Sequence, residues 1–304
     1  MYLATTTADF NRFENRYVER IRHVFEAGFS YIDLCLDPIK ENDELFLAVN
    51  RDENIEKIKD YALENGIKFV QAHGPSVNPL GNDTSSFVHA VKTTERAIEI
   101  CGELGIPNIV VHPGYNPSVE KKEWFEKNRE FFRALFPAME KHNVNVLHEN
   151  TTNANMRWYF SKTGAEMREF SEFVNHPMFH SCWDTGHANI EGSQYNEILT
   201  IGDDLYAVHI NDNRGHQDEH VIPFFGTLNM DEIMNALKDV GYRGCFTLEA
   251  CSTLRPSEYW LGSRHEYPQD TRLSEPPLIL QKELEKFMYS VGEYILKSYD
   301  CFEK

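Results

Sequence analysis

The sequence predicts a single (β/α)8 TIM barrel spanning residues 1–304. Three observations predict it. Short β-branched or aromatic runs alternate with longer stretches of helical apolar spacing, eight of each are present, and no Ser- or Pro-rich linker divides the chain. Strands alternating with helices pair in parallel, and eight such units close a barrel. The structural rival is an open doubly wound sheet. That fold advertises a Gly-rich phosphate loop after its first strand, and none is present here. At 41% hydrophobic and 26% charged residues, the chain has the apolar mass for a packed core.

In order, the first strand is Tyr2–Thr5, followed by helical spacing over about 14–27 that Gly28 closes. The second, Tyr31–Leu36, leads to a helix at 53–65 closed by Gly66. After the third, Lys68–Ala72, the apolar residues Phe87, Val91, Ala97, Ile98, Ile100 and Cys101 recur near the helical period over 84–104, and Gly105 ends the run. The fourth, Asn108–Val111, precedes 121–142, whose stripe of Phe131, Phe132, Leu135, Phe136 and Met139 reads as core packing. Then come Asn145–His148 with 163–175, Met178–Trp183 with 195–201, Leu205–Ile210 with 230–240, and Cys245–Leu248 with 277–299. The connection at about 252–277 is long for a βα loop and lies by position over the C-terminal face. It carries Arg255, Tyr259, Trp260, Arg264, His265, Tyr267 and Arg272, which read equally as pocket lining, as a subunit contact in a homo-oligomer, or as a packed excursion. Met156-Arg157-Trp158-Tyr159, after the fifth strand, is a further candidate for touching substrate.

Charge and composition narrow the function. Thirty Lys+Arg against 48 Asp+Glu leave a formal charge of −18. A nucleic-acid binder needs a basic surface to displace counterions, so no nucleic-acid partner is expected. No apolar run approaches the roughly 18 residues of a membrane span. Met1–Thr7 lacks the basic start and apolar stretch of an export signal, and the six cysteines show no C-x-x-C spacing. Reduced thiols and a cytoplasmic location are the expectation.

The active site of a closed barrel lies at the C-terminal ends of its strands, and the chemically capable residues fall there. His73 ends the third strand, His112 the fourth and Glu149 the fifth. Asp184 and His187 follow the sixth, His209 lies on the seventh, Glu249 ends the eighth, and Asp218 and His220 follow strand seven. Each alone has an ordinary explanation: Asp184 before Thr185-Gly186 fits a helix cap, and Glu149 or Glu249 fits a salt bridge at the barrel mouth. Together, six of eight strands present His, Asp or Glu at one end. Such crowding is costly unless the groups pair with each other or with a cation, and His plus Asp/Glu is an ordinary ligand set for a divalent metal.

Five motifs in strand order also resemble a known family: His112-Pro113-Gly114, His148-Glu149-Asn150-Thr151, Asp184-Thr185-Gly186-His187-Ala188-Asn189, His209-Ile210-Asn211-Asp212-Asn213 and Phe246-Thr247-Leu248-Glu249. They look like those of the xylose-isomerase-like barrels, a superfamily of sugar (phosphate) isomerases and epimerases, inosose dehydratases and type IV apurinic-site endonucleases. Position by position, the resemblance implies one divalent metal (Mn²⁺, Mg²⁺, Co²⁺ or Zn²⁺) on Glu149, Asp184, His209 and Glu249. Glu149 and Glu249 would be the acid/base pair, and His73, His112, His187, Asp218 and His220 would contact a small carbohydrate substrate. In the endonuclease branch the counterparts of those five bind two further metals. Phe224-Phe225-Gly226 departs from the Gly-Glu-Gly run of that branch. The expected activity is sugar, sugar phosphate or polyol isomerisation or epimerisation through proton abstraction beside a carbonyl. The alternatives are an apurinic-site phosphodiesterase and an inosose-type dehydratase.

Overall fold

The computed structural model describes residues 1–81, 83–154, 159–254 and 275–303. Eight parallel strands close in sequence order: β1 (Tyr2–Thr6), β2 (Tyr31–Cys35), β3 (Lys68–His73), β4 (Asn108–Val110), β5 (Asn145–Glu149), β6 (Phe179–Asp184), β7 (Leu205–Ile210) and β8 (Cys245–Leu248), with β8 pairing back onto β1. Around them run α1 (Tyr17–Glu26), α2 (Arg51–Asn65), α3 (Thr84–Leu104), α4 (Lys121–His142), α5 (Gly164–Val174), α6 (Thr185–Glu191), α7 (Tyr195–Ile201), α8 (Met230–Asp239) and α9 (Leu278–Ser298). No helix among the described residues is long and apolar enough to cross a membrane.

The local chemistry explains the boundaries. Gly66 and Gly105 end α2 and α3 in the left-handed conformation, with φ of +66° and +71°, which a residue with a Cβ adopts at a cost. Thr163 and Glu166 form a capping box that starts α5. Helix α1 begins at Tyr17 rather than at residue 14 because the buried Arg20 claims the carbonyls of Glu14 and Asn15 with its Nε and Nη2 at 2.9 and 3.1 Å. Helix α6 is an addition to the sequence expectation. It is only seven residues long, starts without a turn directly from β6, and offers too few apolar positions for a periodic signal.

Two packed regions hold the barrel. The larger lies between strands and helices and contains the stripe on α4, where Phe131, Phe132, Leu135 and Met139 are fully buried. The smaller is Val110, Leu147, Cys182 and Ala207, one residue from each of four successive strands. Side chains alternate faces along a strand, so positions two residues further on share a face. Those positions are His112, Glu149, Asp184 and His209. The apolar layer is thus the floor on which four of the predicted site residues stand.

Candidate active site

Glu149, at the end of β5, is 1% exposed and central to the site. Its Oε1 accepts from His209 Nδ1 at 2.6 Å, while its Oε2 lies 3.2 Å from His112 Nε2 and 4.0 Å from His73 Nε2. Glu249 places its Oε2 3.1 Å from the same His209 Nδ1. Asp184 closes β6 and caps α6: its Oδ1 accepts from the His187 backbone N–H and its Oδ2 from Asn211 Nδ2, both at 2.6 Å. The cap reading of Asp184 and the cluster reading therefore both hold. Gly186 permits this closeness, since a Cβ there would stand 1.8 Å from Asn211 Oδ1.

One ligand atom each from Glu149, Asp184, His209 and Glu249 lies within 4.8 Å of the others. Two further groups meet the same spacing: His73 and His112 with Glu149, and His187 and His220 with Asp218. The last group joins the first through His187 Nδ1, 3.7 Å from Asp184, and His220 Nδ1, 3.9 Å from Glu249. All nine residues singled out in the sequence are thus brought together. Cys182 also approaches Glu149 and His209, but burial pushes its thiol up to about 12 and keeps it protonated.

The residues present fit a cation. A carbonyl oxygen can only accept, so three imidazoles must carry their proton on Nδ1: His73 toward Gly74 O (2.9 Å), His187 toward Asn150 O (2.8 Å) and His220 toward Glu249 O (3.1 Å). Each then turns Nε2 to the cluster, the arrangement that orients ligating histidines. Burial alone would depress the imidazoles of His187 and His220. Asp184 and Asp218 nevertheless hold His187 well above its ordinary range, and Asp218 and Glu249 hold His220 up to about 10. Burial likewise raises the carboxyls, but His209 and its fellow imidazoles bring Glu249 down to about 2 and Glu149 below its usual value. Asp184 is pushed up to about 6, first by burial and then by the charges of Glu149 and Glu249. Carboxylates that force neighbouring imidazoles to stay positive are a site in want of positive charge, and three carboxylates with one imidazole suit a hard or borderline divalent ion.

Behind the cluster, His209 Nε2 faces Gln71 Nε2 at 2.8 Å and Asp33 Oδ2 at 3.6 Å. Two N–H groups cannot bond each other. In the neutral ring Nε2 accepts from Gln71 while Nδ1–H donates to Glu149. In the charged ring the amide turns its oxygen to Nε2–H and Nδ1–H still faces Glu149 and Glu249, whereas a metal would take the place of the Nδ1 proton. Sequence reasoning missed Gln71 and Asp33 because they lie within strands. It also missed Asp9 and Asp37, which line the cavity of about 720 Å³ above the cluster; both follow the C-terminal ends of β1 and β2, and extending the strand-end rule to those two strands finds them. Arg214 is engaged by Glu219, the ordinary reading for a loop arginine. Tyr159 packs on Tyr115 and Trp124 rather than facing the cavity, so the expectation that it touches substrate is corrected. Met156, Arg157 and Trp158 lie outside the described residues, as do Arg255 and the other named residues of the 252–277 connection. The flanking Ser252, Leu254, Glu275 and Pro276 line the cavity.

A family model described as xylose isomerase-like TIM barrel matches residues 21–272, most of the chain. The chain belongs to that family. Among its relatives, D-psicose 3-epimerase of Ruminiclostridium cellulolyticum is 25% identical over 249 residues, 78% of each chain. Probable endonuclease 4 of Oceanobacillus iheyensis is 26% identical over 200 residues, 60% of this chain and 66% of that one. The crystal structure of the IolI protein with a bound zinc atom superposes with a TM-score of 0.76 over 98% of this chain and 99% of that one, at 16% identity.

Proposed function

We propose that this member of the family is a divalent-metal-dependent isomerase or epimerase of sugars or polyols. The observation that carries the reading is the pair Glu149 and Glu249: two carboxylates held ionised at neutral pH, from strands three apart around the barrel, both in contact with one imidazole. A metal on Glu149, Asp184, His209 and Glu249 would polarise the substrate's carbonyl and acidify the adjacent C–H. Glu149 or Glu249 takes the proton from that carbon, and the same residue or its partner returns one. Return from the other face inverts the centre; return to the neighbouring carbon moves the carbonyl. The Nε2–H groups of the charged His187 and His220 would supply donors for the charge that develops on substrate oxygens. The likeness to D-psicose 3-epimerase supports the substrate class.

The test uses the metal-loaded protein with a panel of ketoses, aldoses and inososes in deuterated water. Solvent deuterium should appear beside the carbonyl of the true substrate. Glu149→Gln and Glu249→Gln, with metal content checked, should each lower exchange and turnover by about 10²–10⁴-fold. A metal-loaded variant with near-normal exchange removes that residue from the acid/base role.

A second reading, a phosphodiesterase of the apurinic-site endonuclease kind, is favoured by two observations: the nine residues fall into three groups with metal-ligand spacing, and one relative is named a probable endonuclease 4. The −18 charge opposes it. Three metal equivalents surviving dialysis, with cleavage of abasic DNA and no deuterium exchange into any sugar, would establish this reading in place of the first.

A further inference from the structure

A second polar group stands on the wall of the same cavity, apart from the nine cluster residues. Asp9 lies in the short turn Thr7–Phe10 after β1, and Gln281 and Glu285 lie one turn apart on α9. They are 4%, 4% and 0% exposed, and Asp9 and Gln281 line the cavity. Asp9 meets no donor other than the carboxyl of Glu285, the Thr5 hydroxyl lies beside Glu285, and Gln281 Nε2 meets no acceptor. The carboxyl groups of Asp9 and Glu285 face each other, and two acceptors can bond only by sharing a proton. Burial, followed by the charge of Asp9, accordingly lifts Glu285 well above its ordinary range, and burial lifts Asp9 to about 7. Buried polar atoms without partners are costly, and the cost is recovered when a ligand supplies the missing groups.

We propose that Asp9 and Gln281 form a hydroxyl-binding subsite for the end of an unphosphorylated sugar remote from Glu149 and Glu249, with Glu285 supporting Asp9 from behind. This rests on the isomerase reading above and adds the substrate's far end to it. A sugar hydroxyl both donates and accepts, so one hydroxyl satisfies the Asp9 oxygen and the Gln281 amide N–H together. At pH 8, where Asp9 is ionised and a phosphate monoester is a dianion, a phosphate in the same place has no proton to offer and sets its charge against a carboxylate. The cations on the described wall are already engaged or turned to solvent: Lys40 is bound to the Asn11 carbonyl and to Asn15 Oδ1, Arg12 is exposed, and the His187 and His220 imidazoles are held by Asp218.

The experiment measures calorimetric binding of D-fructose, 6-deoxy-D-fructose and D-fructose 6-phosphate to the metal-loaded protein, alongside the deuterium-exchange panel. Wild type should prefer D-fructose over the deoxy sugar by about 10–100-fold, the range for a hydrogen bond to a charged group, and should refuse the phosphate. In Asp9→Ala and Gln281→Leu the preference should fall toward unity. The ratio is the readout because a merely structural defect weakens both sugars equally. Asp9→Asn keeps the side-chain shape if Asp9→Ala does not fold, and should gain at least about threefold for the phosphate by losing the charge. An unchanged ratio in the variants, or tight binding of the phosphate by wild type, overturns the subsite while sugar exchange leaves the isomerase reading standing. A wild type that binds no ketose and exchanges none overturns both. Loss of one equivalent of bound Mn²⁺ in Asp9→Asn would mark the pair as a cation site and overturn the hydroxyl assignment.

Discussion

Gln71 exerts its effect one bond removed from the cluster. It and Asp33 are the groups facing His209 Nε2, so they set which nitrogen carries the proton and hold the ring in place. Gln71→Leu removes that partner at similar volume. Affinity for Mn²⁺ should fall by about 10–100-fold in equilibrium dialysis while the circular dichroism spectrum is retained. Asp9 gives a pH-dependent counterpart. Burial raises its folded-state pKa from the ordinary 3.8 to about 7, so folding favours the protonated acid. That contribution is fully present below about pH 3.8 and is lost as the pH rises through about 7. Asp9→Asn keeps a neutral group throughout. Its Tm should exceed that of wild type by several degrees at pH 8, where a charge is being buried, and by less at pH 5.

At the scale of elements, the junction of β5, α5 and β6 is tied by a polar network on the outer side of the barrel, behind Glu149. His148 Nε2 meets Ser171 Oγ at 2.9 Å and Ser181 Oγ at 3.2 Å, and both serines donate to Asp204 Oδ2, at 2.7 and 2.8 Å. His180 Nδ1 meets the other oxygen at 2.9 Å. Burial raises the Asp204 carboxyl, but the hydrogen bonds from His180, Ser171 and Ser181 outweigh it and hold the group below its ordinary value. A depressed carboxyl stabilises the fold above its unfolded pKa, and the contribution disappears as the pH falls through the folded one. Asp204→Asn should therefore cost about 1–3 kcal/mol in denaturant unfolding at pH 7, the scale of hydrogen bonds to a charged group, and less at pH 3.

At the scale of the whole molecule the proposed cation is testable through linkage, because an ion that binds only the closed barrel would stabilise it by mass action. At a free concentration 100 times Kd the gain is about 2.7 kcal/mol. Chelation should lower Tm by several degrees, and Mn²⁺ should restore it. Asp184→Asn, which removes one negative charge from the group of four, should lose most of that shift. Equal metal stabilisation of Asp184→Asn and wild type would show that the ion is held elsewhere.

Much of this was legible in the sequence for a physical reason. Strand and helix periods are local, a glycine such as Gly105 announces a left-handed helix end, and parallel closure forces all eight strand ends onto one face. His73, His112, Glu149, Asp184, His209 and Glu249 were therefore recognisable as neighbours from their positions at those ends. What local pattern cannot carry is the stagger of strands around the barrel and the path of loops. Only the tertiary structure divided the nine residues into three groups, two sharing Glu149 and the third reaching them through Asp184 and Glu249. It alone turned the Nε2 atoms of three histidines inward by fixing their Nδ1 protons on backbone carbonyls. It also set Asp9 from the start of the chain against Gln281 and Glu285 from its last helix. A residue's period gives the face it shares with its own element; which distant residue meets it there is set by closure and packing of the whole barrel.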